Sequence, residues 1–296
     1  MDARQPFFAR RTICLPRSAL LGDGVTVRAI AASVHSGRLV RARRGWYVLP
    51  ETPESVTQAV RVGGRATCIT ALREYGIWVP SEASSTGTDD PHVALPPTAA
   101  RLRSPIDRTA PLASGDHRGA VLHWRPWNIQ HVERWRVSLV DALVHASWCV
   151  EGDDLVAIIE SALAQGRIGG ADLSRIRARS PRARGRRFEG LDPRAGSGTE
   201  TLVRLALIRA GLTIRSQVEI AGVGRVDLVV GDRVVVEVDS EAWHGDERAR
   251  RRDYRRDLAL YRLGYVVVRV SWHQAMFRRE EVVAAVLAAV ATVRRR

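Results

Sequence analysis

At 296 residues the chain is long enough for two or three domains, each with its own core. With 45% hydrophobic and 26% charged residues, the composition excludes a disordered or fibrous protein. The net charge of +14 points to a polyanionic partner, and all 46 basic residues are Arg, so no Lys-dependent chemical step is available. Cys14, Cys68 and Cys149 lie far apart and form no CxxC pair, which argues against a zinc finger or a disulfide framework and fits a reducing cytoplasm. No signal-peptide pattern or apolar run of membrane-spanning length is present, so a soluble, cytoplasmic protein is expected.

Taken in order, Pro16 to Leu21 reads as a short helix ended by Gly22 and Gly24. Thr26 is a plausible N-cap for a second helix from Val27 to His35, closed by Gly37. Arg38 to Ala42 and Gly45 to Leu49 then form a hairpin turning near Arg43-Arg44. Helix, helix and basic hairpin is the order of a winged helix-turn-helix. Arg28 on the second helix and Arg38, Arg41, Arg43 and Arg44 on the wing are placed to meet phosphates. The plainer alternative is a structural module with a solvated basic face. The run GRLVRARRGWYVLP resembles the N-terminal domain of the antitoxin of abortive-infection type IV toxin–antitoxin systems.

In the middle segment Thr67 to Tyr75 reads as a helix ended by Gly76, and His92 to Leu95 as a strand closed by Pro96-Pro97. Residues 80–91 read as a loop. Ser138 to Cys149 and Asp154 to Gln165 carry helical apolar spacing. Asp141 and His145 share a helix face and read as a capped or surface contact rather than a metal pair. His117, His123 and His131, set among Trp124, Trp127 and Trp135, read as surface or satisfied core residues. The sequence of a helix, the HVALP and HWRP strands and later helices resembles the second domain of the same antitoxins, so this segment reads as a scaffold or sensor. A stretch rich in Arg follows, with Arg175, Arg177, Arg179, Arg182, Arg184, Arg186 and Arg187 around Pro181 and Gly185. By composition it is a flexible boundary whose charge can also meet phosphate.

Beyond it, Thr199 or Ser197 caps a helix through Ala210 with Glu200 in its first turn. Two Val-rich runs then flank Gly231-Asp232 as a β-hairpin. Asp227, Glu237 and Asp239 interrupt these apolar strands, and a buried carboxylate is costly unless paired, hydrogen-bonded or metal-bound. Alternation puts Glu237 and Asp239 on one face. A two-residue turn would set Asp227 opposite Val236, whereas a three-residue loop (Gly231 to Arg233) or a bulge would set it opposite Glu237. If the three carboxylates converge, they make an oxygen-lined pocket suited to Mg²⁺. His244 follows Trp243. A helix carrying Arg250, Arg252, Asp253, Arg256 and Asp257 runs to Leu263-Gly264, Tyr265 to Val270 is a buried strand, and Glu280 to Val293 a closing helix.

Asp227 with Glu237-Val238-Asp239 resembles the core of the PD-(D/E)XK nucleases, with Asp in place of the usual Lys. VDSEAWH, the RDxxRD pattern from Arg252 to Asp257, and Leu263-Gly264-Tyr265 resemble more specifically the very-short-patch repair endonuclease branch and the uncharacterised bacterial proteins grouped with it. The resemblance covers roughly residues 190 to 290. It implies catalytic roles for Asp227, Glu237, Asp239, His244 and Glu200. It also implies Mg²⁺ or Mn²⁺ held by Asp227, Glu237 and the Val238 carbonyl, with Arg252 and Arg256 toward substrate. In that branch the Asp239 position usually carries His, so the general-base role does not transfer simply.

The expected fold class is α/β (α+β) and multidomain: a winged helix-turn-helix over residues 1–55, a middle α/β scaffold over 56–178, an Arg-rich linker over 179–198, and a restriction-endonuclease-like mixed sheet flanked by helices over 199–296. The expected function is metal-dependent endonucleolytic hydrolysis of DNA. Its rivals are a non-catalytic DNA-binding regulator of antitoxin type with a degenerate nuclease fold, and an RNA-directed nuclease or toxin. A homodimer or a toxin is the expected protein partner, and no membrane is.

Overall fold

The computed structural model describes residues 14–80, 90–112, 119–130, 133–182, 188–239 and 247–295, with side chains from 254 onward in the last stretch. His244 and the Arg252 side chain lie outside the described residues, as do His117, His131, Arg184, Arg186 and Arg187. The chain divides into two compact units. Among the described residues no helix is long and apolar enough to cross a membrane.

The first unit opens with β1 (Cys14–Pro16), α1 (Arg17–Gly22), α2 (Val27–His35), β2 (Val40–Arg43) and β3 (Trp46–Val48). Thr26 caps α2 by accepting from the Ala29 N–H, and the three strands form an antiparallel sheet in the order β1-β3-β2. Leu20 and Ile30 make its small core. Helix α3 (Glu54–Val62) follows, a helix not legible at the sequence level, ended by Gly63 in the left-handed region at φ 114°. Then come β4 (Arg65–Ala66), α4 (Cys68–Glu74), β5 (His92–Ala94), β6 (Val121–His123) and α5 (Leu139–Cys149). Strand β5 pairs antiparallel to β4 and parallel to β6.

The chain then contributes α6 (Gly152–Ala164) to the second unit and returns to the first with α7 (Gly170–Arg179). The Arg-rich stretch is therefore helical as far as Arg179. Asp141 and His145 on α5 are both buried rather than superficial. Asp141 accepts from the Ser138 hydroxyl, the Asn128 N–H and Arg179, while His145 meets the Thr67 hydroxyl at 2.7 Å.

The second unit adds α8 (Gly198–Arg209), β7 (Ile214–Ile220), β8 (Gly224–Val230), β9 (Val234–Val238), α9 (Glu247–Arg262), β10 (Val266–Val270), α10 (Trp272–Phe277) and α11 (Arg279–Arg294). The sheet order is β10-β9-β8-β7, antiparallel except for the parallel pair β9–β10 that α9 connects. Val-rich β8 and β9 are buried because helices cover both faces of the sheet. Val203, Leu207, Leu228, Val230, Val234, Val236, Ala275, Val282 and Val286 form one core with α8, α10 and α11. Val229, Val235 and Leu260 form the other beneath α9.

Candidate active site

The geometry of the site begins with a turn. Val230 pairs with Val234, leaving Gly231–Arg233 as a three-residue loop, with Gly231 left-handed at φ 56°. This is the register that sets Asp227 opposite Glu237. The regular pairing of β8 with β9 ends at Leu228↔Val236. Past that point the Val238 N–H is satisfied by Asp227 Oδ2 at 2.9 Å, so a side chain does the work of a strand carbonyl and fixes the Asp227 carboxylate against β9.

On the other side of Asp227, β7 supplies Gln217. Its backbone is left-handed at φ 52°, unusual for a residue other than glycine in the middle of a strand. The pairs Ser216↔Leu228 and Val218↔Val226 flank it without a register shift. Its side-chain amide donates to Glu200 Oε2 at 2.7 Å and to Asp227 Oδ1 at 3.3 Å. Gln217 is the site residue that sequence reasoning missed. A polar residue between buried Ser216 and half-buried Val218 was its only trace.

Glu200 reaches the site from the first turn of α8, where Ser197 is the cap. The Gly196 N–H donates to Glu200 Oε2 at 2.9 Å, and a Cβ on Gly196 would lie 2.8 Å from Glu200 Oε1, so glycine is required for this approach. Helix α8 is tied down from below by a buried network. Arg204 Nη2 lies 2.5 Å from Glu160 Oε1, the Thr201 hydroxyl donates to Glu160 Oε2 at 2.6 Å, and the Asp192 N–H to Oε1 at 2.7 Å. Gly198, against whose position the Trp78 ring packs, admits no side chain.

Three carboxylates thus share one corner, and their electrostatics show it. Burial, then the charge of Asp227, raises the pKa of Glu200. The same two causes push Glu237 up to about 7, against the opposing pull of Arg256. Arg256 on α9 donates to Glu237 Oε1 at 2.7 Å and also to the Arg225 carbonyl, so a guanidinium expected to face substrate is engaged inside the site. Asp239 lies just past β9, half-buried, its N–H bonded to the Val270 carbonyl at 2.8 Å. Asp227 is linked to Glu200 through the Gln217 amide, and to β9 beside Glu237 through the Val238 N–H. Among the described residues, the set of three or more potential metal-ligating side chains with ligand atoms all within 4.8 Å of one another is a different one, Cys68, His92, His123 and Cys149.

Of the basic residues expected at a phosphate surface, Arg28, Arg41 and Arg44 are exposed. Arg43 turns inward. It is half-buried against Gly63, whose missing side chain makes the room, and burial and the neighbouring Arg103 lower its pKa.

Residues 200–290 match the family model described as REase_MTES_1575, a restriction-endonuclease-like domain. No curated protein and no solved structure matches the chain. The matched span begins at Glu200 and contains Gln217, Asp227, Glu237 and Arg256, so the C-terminal part of the chain is similar to a restriction-endonuclease-like domain over a span that includes these carboxylates.

Proposed function

We propose that the second unit is a metal-dependent endonuclease domain that hydrolyses DNA phosphodiester bonds, of the very-short-patch-repair-like branch of the PD-(D/E)XK nucleases. The observation that carries this reading is the bridging of Glu200 and Asp227 by the strained Gln217, with Glu237 opposite Asp227 on β9, inside the span that matches the restriction-endonuclease-like family. Two facing carboxylates, the pKa of one raised to about 7 by burial and then by the charge of the other, are the hard oxygen donors that Mg²⁺ or Mn²⁺ prefers. Asp227, Glu237 and the Val238 carbonyl would hold such an ion, which when bound supplies Lewis acidity and lowers the pKa of a water.

Within this reading Asp227 is aimed by the Val238 N–H and Gln217, and Glu200 accepts from Gly196 and Gln217, so both are oriented before substrate arrives. Asp239 orients the attacking water, in the position where the PD-(D/E)XK core usually has Lys and the very-short-patch branch His, and His244 serves as general acid/base near neutral pH. In the first unit two helices and a hairpin act as a winged helix-turn-helix that brings Arg28, Arg41 and Arg44 to DNA phosphates.

A second reading is supported by one observation, the placement of Arg256 against Glu237. A guanidinium that neutralises a site carboxylate suits a degenerate nuclease fold in a DNA-binding regulator. The deciding experiment compares wild type with Asp227→Asn on supercoiled plasmid and on mismatched duplex, with Mg²⁺ or Mn²⁺. Metal-dependent nicking that disappears in the variant supports the nuclease. Silence from both proteins with equal DNA binding favours the regulator.

A further inference from the structure

The second observation of chemical interest lies wholly in the first unit and is independent of the nuclease reading. Cys68 opens α4, His92 opens β5, His123 closes β6 and Cys149 closes α5. Each sits on a different element, and more than 20 residues separate it from the next, so no short ligand motif marks them. The fold gathers them in two steps. Parallel pairing of β5 with β6 sets Ala94 opposite His123, and alternation then places His92 on the same face as a diagonal neighbour. Helices α4 and α5 pack against each other, bringing the first residue of one near the last residue of the other.

The result is four ligand atoms, two sulfur and two nitrogen, all within 4.8 Å of one another. His92 Nδ1 lies 3.0 Å from His123 Nε2 and 3.6 Å from Cys149 Sγ. A tetrahedral ion with metal–nitrogen bonds of about 2.0–2.1 Å and metal–sulfur bonds of about 2.3 Å sets ligand–ligand edges of roughly 3.3–3.8 Å. The two edges at His92 Nδ1 lie within or close to that range.

Cys68 and His92 are fully buried and His123 nearly so. Hydrogen bonding alone is a poor account of this arrangement. Nδ1 of His92 faces both His123 Nε2 and Cys149 Sγ and carries at most one proton to share between them, while His92 Nε2 is buried without a partner. Convergence of lone pairs on one point is instead what coordination requires. Two further features fit a site held in place by its surroundings. Cys68 is left-handed at φ 48°, a conformation that costs energy for a residue with a side chain. The His145 ring stacks on His123 at 5.3 Å between centroids and 3° between planes, itself anchored by the Thr67 hydroxyl next to Cys68.

We propose that Cys68, His92, His123 and Cys149 bind a Zn²⁺ ion in a closed tetrahedral site. Two thiolates would balance the charge of the ion, which is what burial demands. Two sulfur and two imidazole donors with no carboxylate select zinc over magnesium or manganese. Four protein ligands leave no open position, so the site is structural and fastens α4 and α5 to the β5–β6 pair. The spacing of the cysteines in sequence argued against a zinc finger, and a fold that collects ligands from four separate elements escapes that argument.

The test is the metal content of the full-length protein, expressed in zinc-supplemented medium and dialysed against metal-free buffer, together with titration of its metal-stripped form with Co²⁺. About one zinc per chain and a thiolate-to-cobalt charge-transfer band are expected, with both lost in Cys68→Ser and Cys149→Ser and both kept in Asp227→Asn. Should the cysteine variants fail to fold, wild type answers alone: Cys68 and Cys149 should resist a thiol reagent until a zinc chelator is added. Folded wild type with no zinc above the buffer blank and no cobalt band overturns the proposal, and so does a Cys68–Cys149 disulfide in a non-reducing peptide map.

Discussion

Arg256 Nη2 lies 2.7 Å from Glu237 Oε1, so the most buried charge among the described side chains of α9 is spent on a carboxylate of the candidate site. A metal ion and this guanidinium are therefore competing ways to neutralise Glu237. Replacing Arg256 with Met deletes the competitor without adding a charge. Calorimetric titration with Mn²⁺ at pH 7.5 should show affinity tightened by roughly tenfold, the effect of one partly screened charge at contact distance. Unchanged or weaker affinity would show that Arg256 does not occupy the metal's place.

The pH dependence of stability should carry the mark of Glu237. Its pKa in the folded protein is raised to about 7, so the folded state prefers the protonated form. Its contribution is then fully present below the unfolded value near 4.5 and is lost as pH climbs through about 7, by on the order of 1–3 kcal/mol. Glu200 is shifted in the same direction. Melting of metal-free protein between pH 4.5 and 8 should show the decline, and Glu237→Gln should flatten it. Parallel curves for the two proteins would remove Glu237 from the account.

Gln217 allows backbone and side-chain effects to be separated. Gln217→Ala keeps the left-handed strain at φ 52° and loses the amide that bridges Glu200 and Asp227, whereas Gln217→Gly loses the amide and relieves the strain. The Gly variant should be the more stable of the two by about 1 kcal/mol in urea denaturation. Both should lose plasmid cleavage. An Ala variant as stable as the Gly variant would contradict the left-handed backbone.

The anchoring of α8 is tested at Glu160. Glu160→Ala leaves Arg204 buried beside no carboxylate and removes the acceptor of Thr201 and of the Asp192 N–H. A loss of roughly 3–5 kcal/mol is expected in chemical denaturation, because the cost is dominated by the unpaired charge. Replacing Glu160 and Arg204 together with apolar residues should cost much less than either change alone. A loss below about 1 kcal/mol in the single variant would mean that water reaches Arg204.

Much of the second unit was legible because local signals agreed there. Val-rich runs around a glycine turn, a serine cap before Glu200, and a Leu-Gly stop after an Arg-rich helix each name an element by its own chemistry. Even helix α10, not anticipated, carries its signature in Ser271 and Gln274, whose reciprocal capping box the structure contains. Helix α3 was missed because proline precedes it and no side chain caps it.

The sequence by itself determined most elements of the second unit, β7 and α10 apart, and the residue types that could carry chemistry, since turns, caps and periodicity act over a few residues. It left open whether Asp227 faces Glu237, because that depends on one residue in the length of a turn. Only the tertiary structure decided the register, the left-handed Gln217 that links Glu200 to Asp227, and the engagement of Arg256. It alone brought Cys68, His92, His123 and Cys149 together. Strand pairing and helix packing join residues far apart in the chain, and such contacts leave no periodic trace in it.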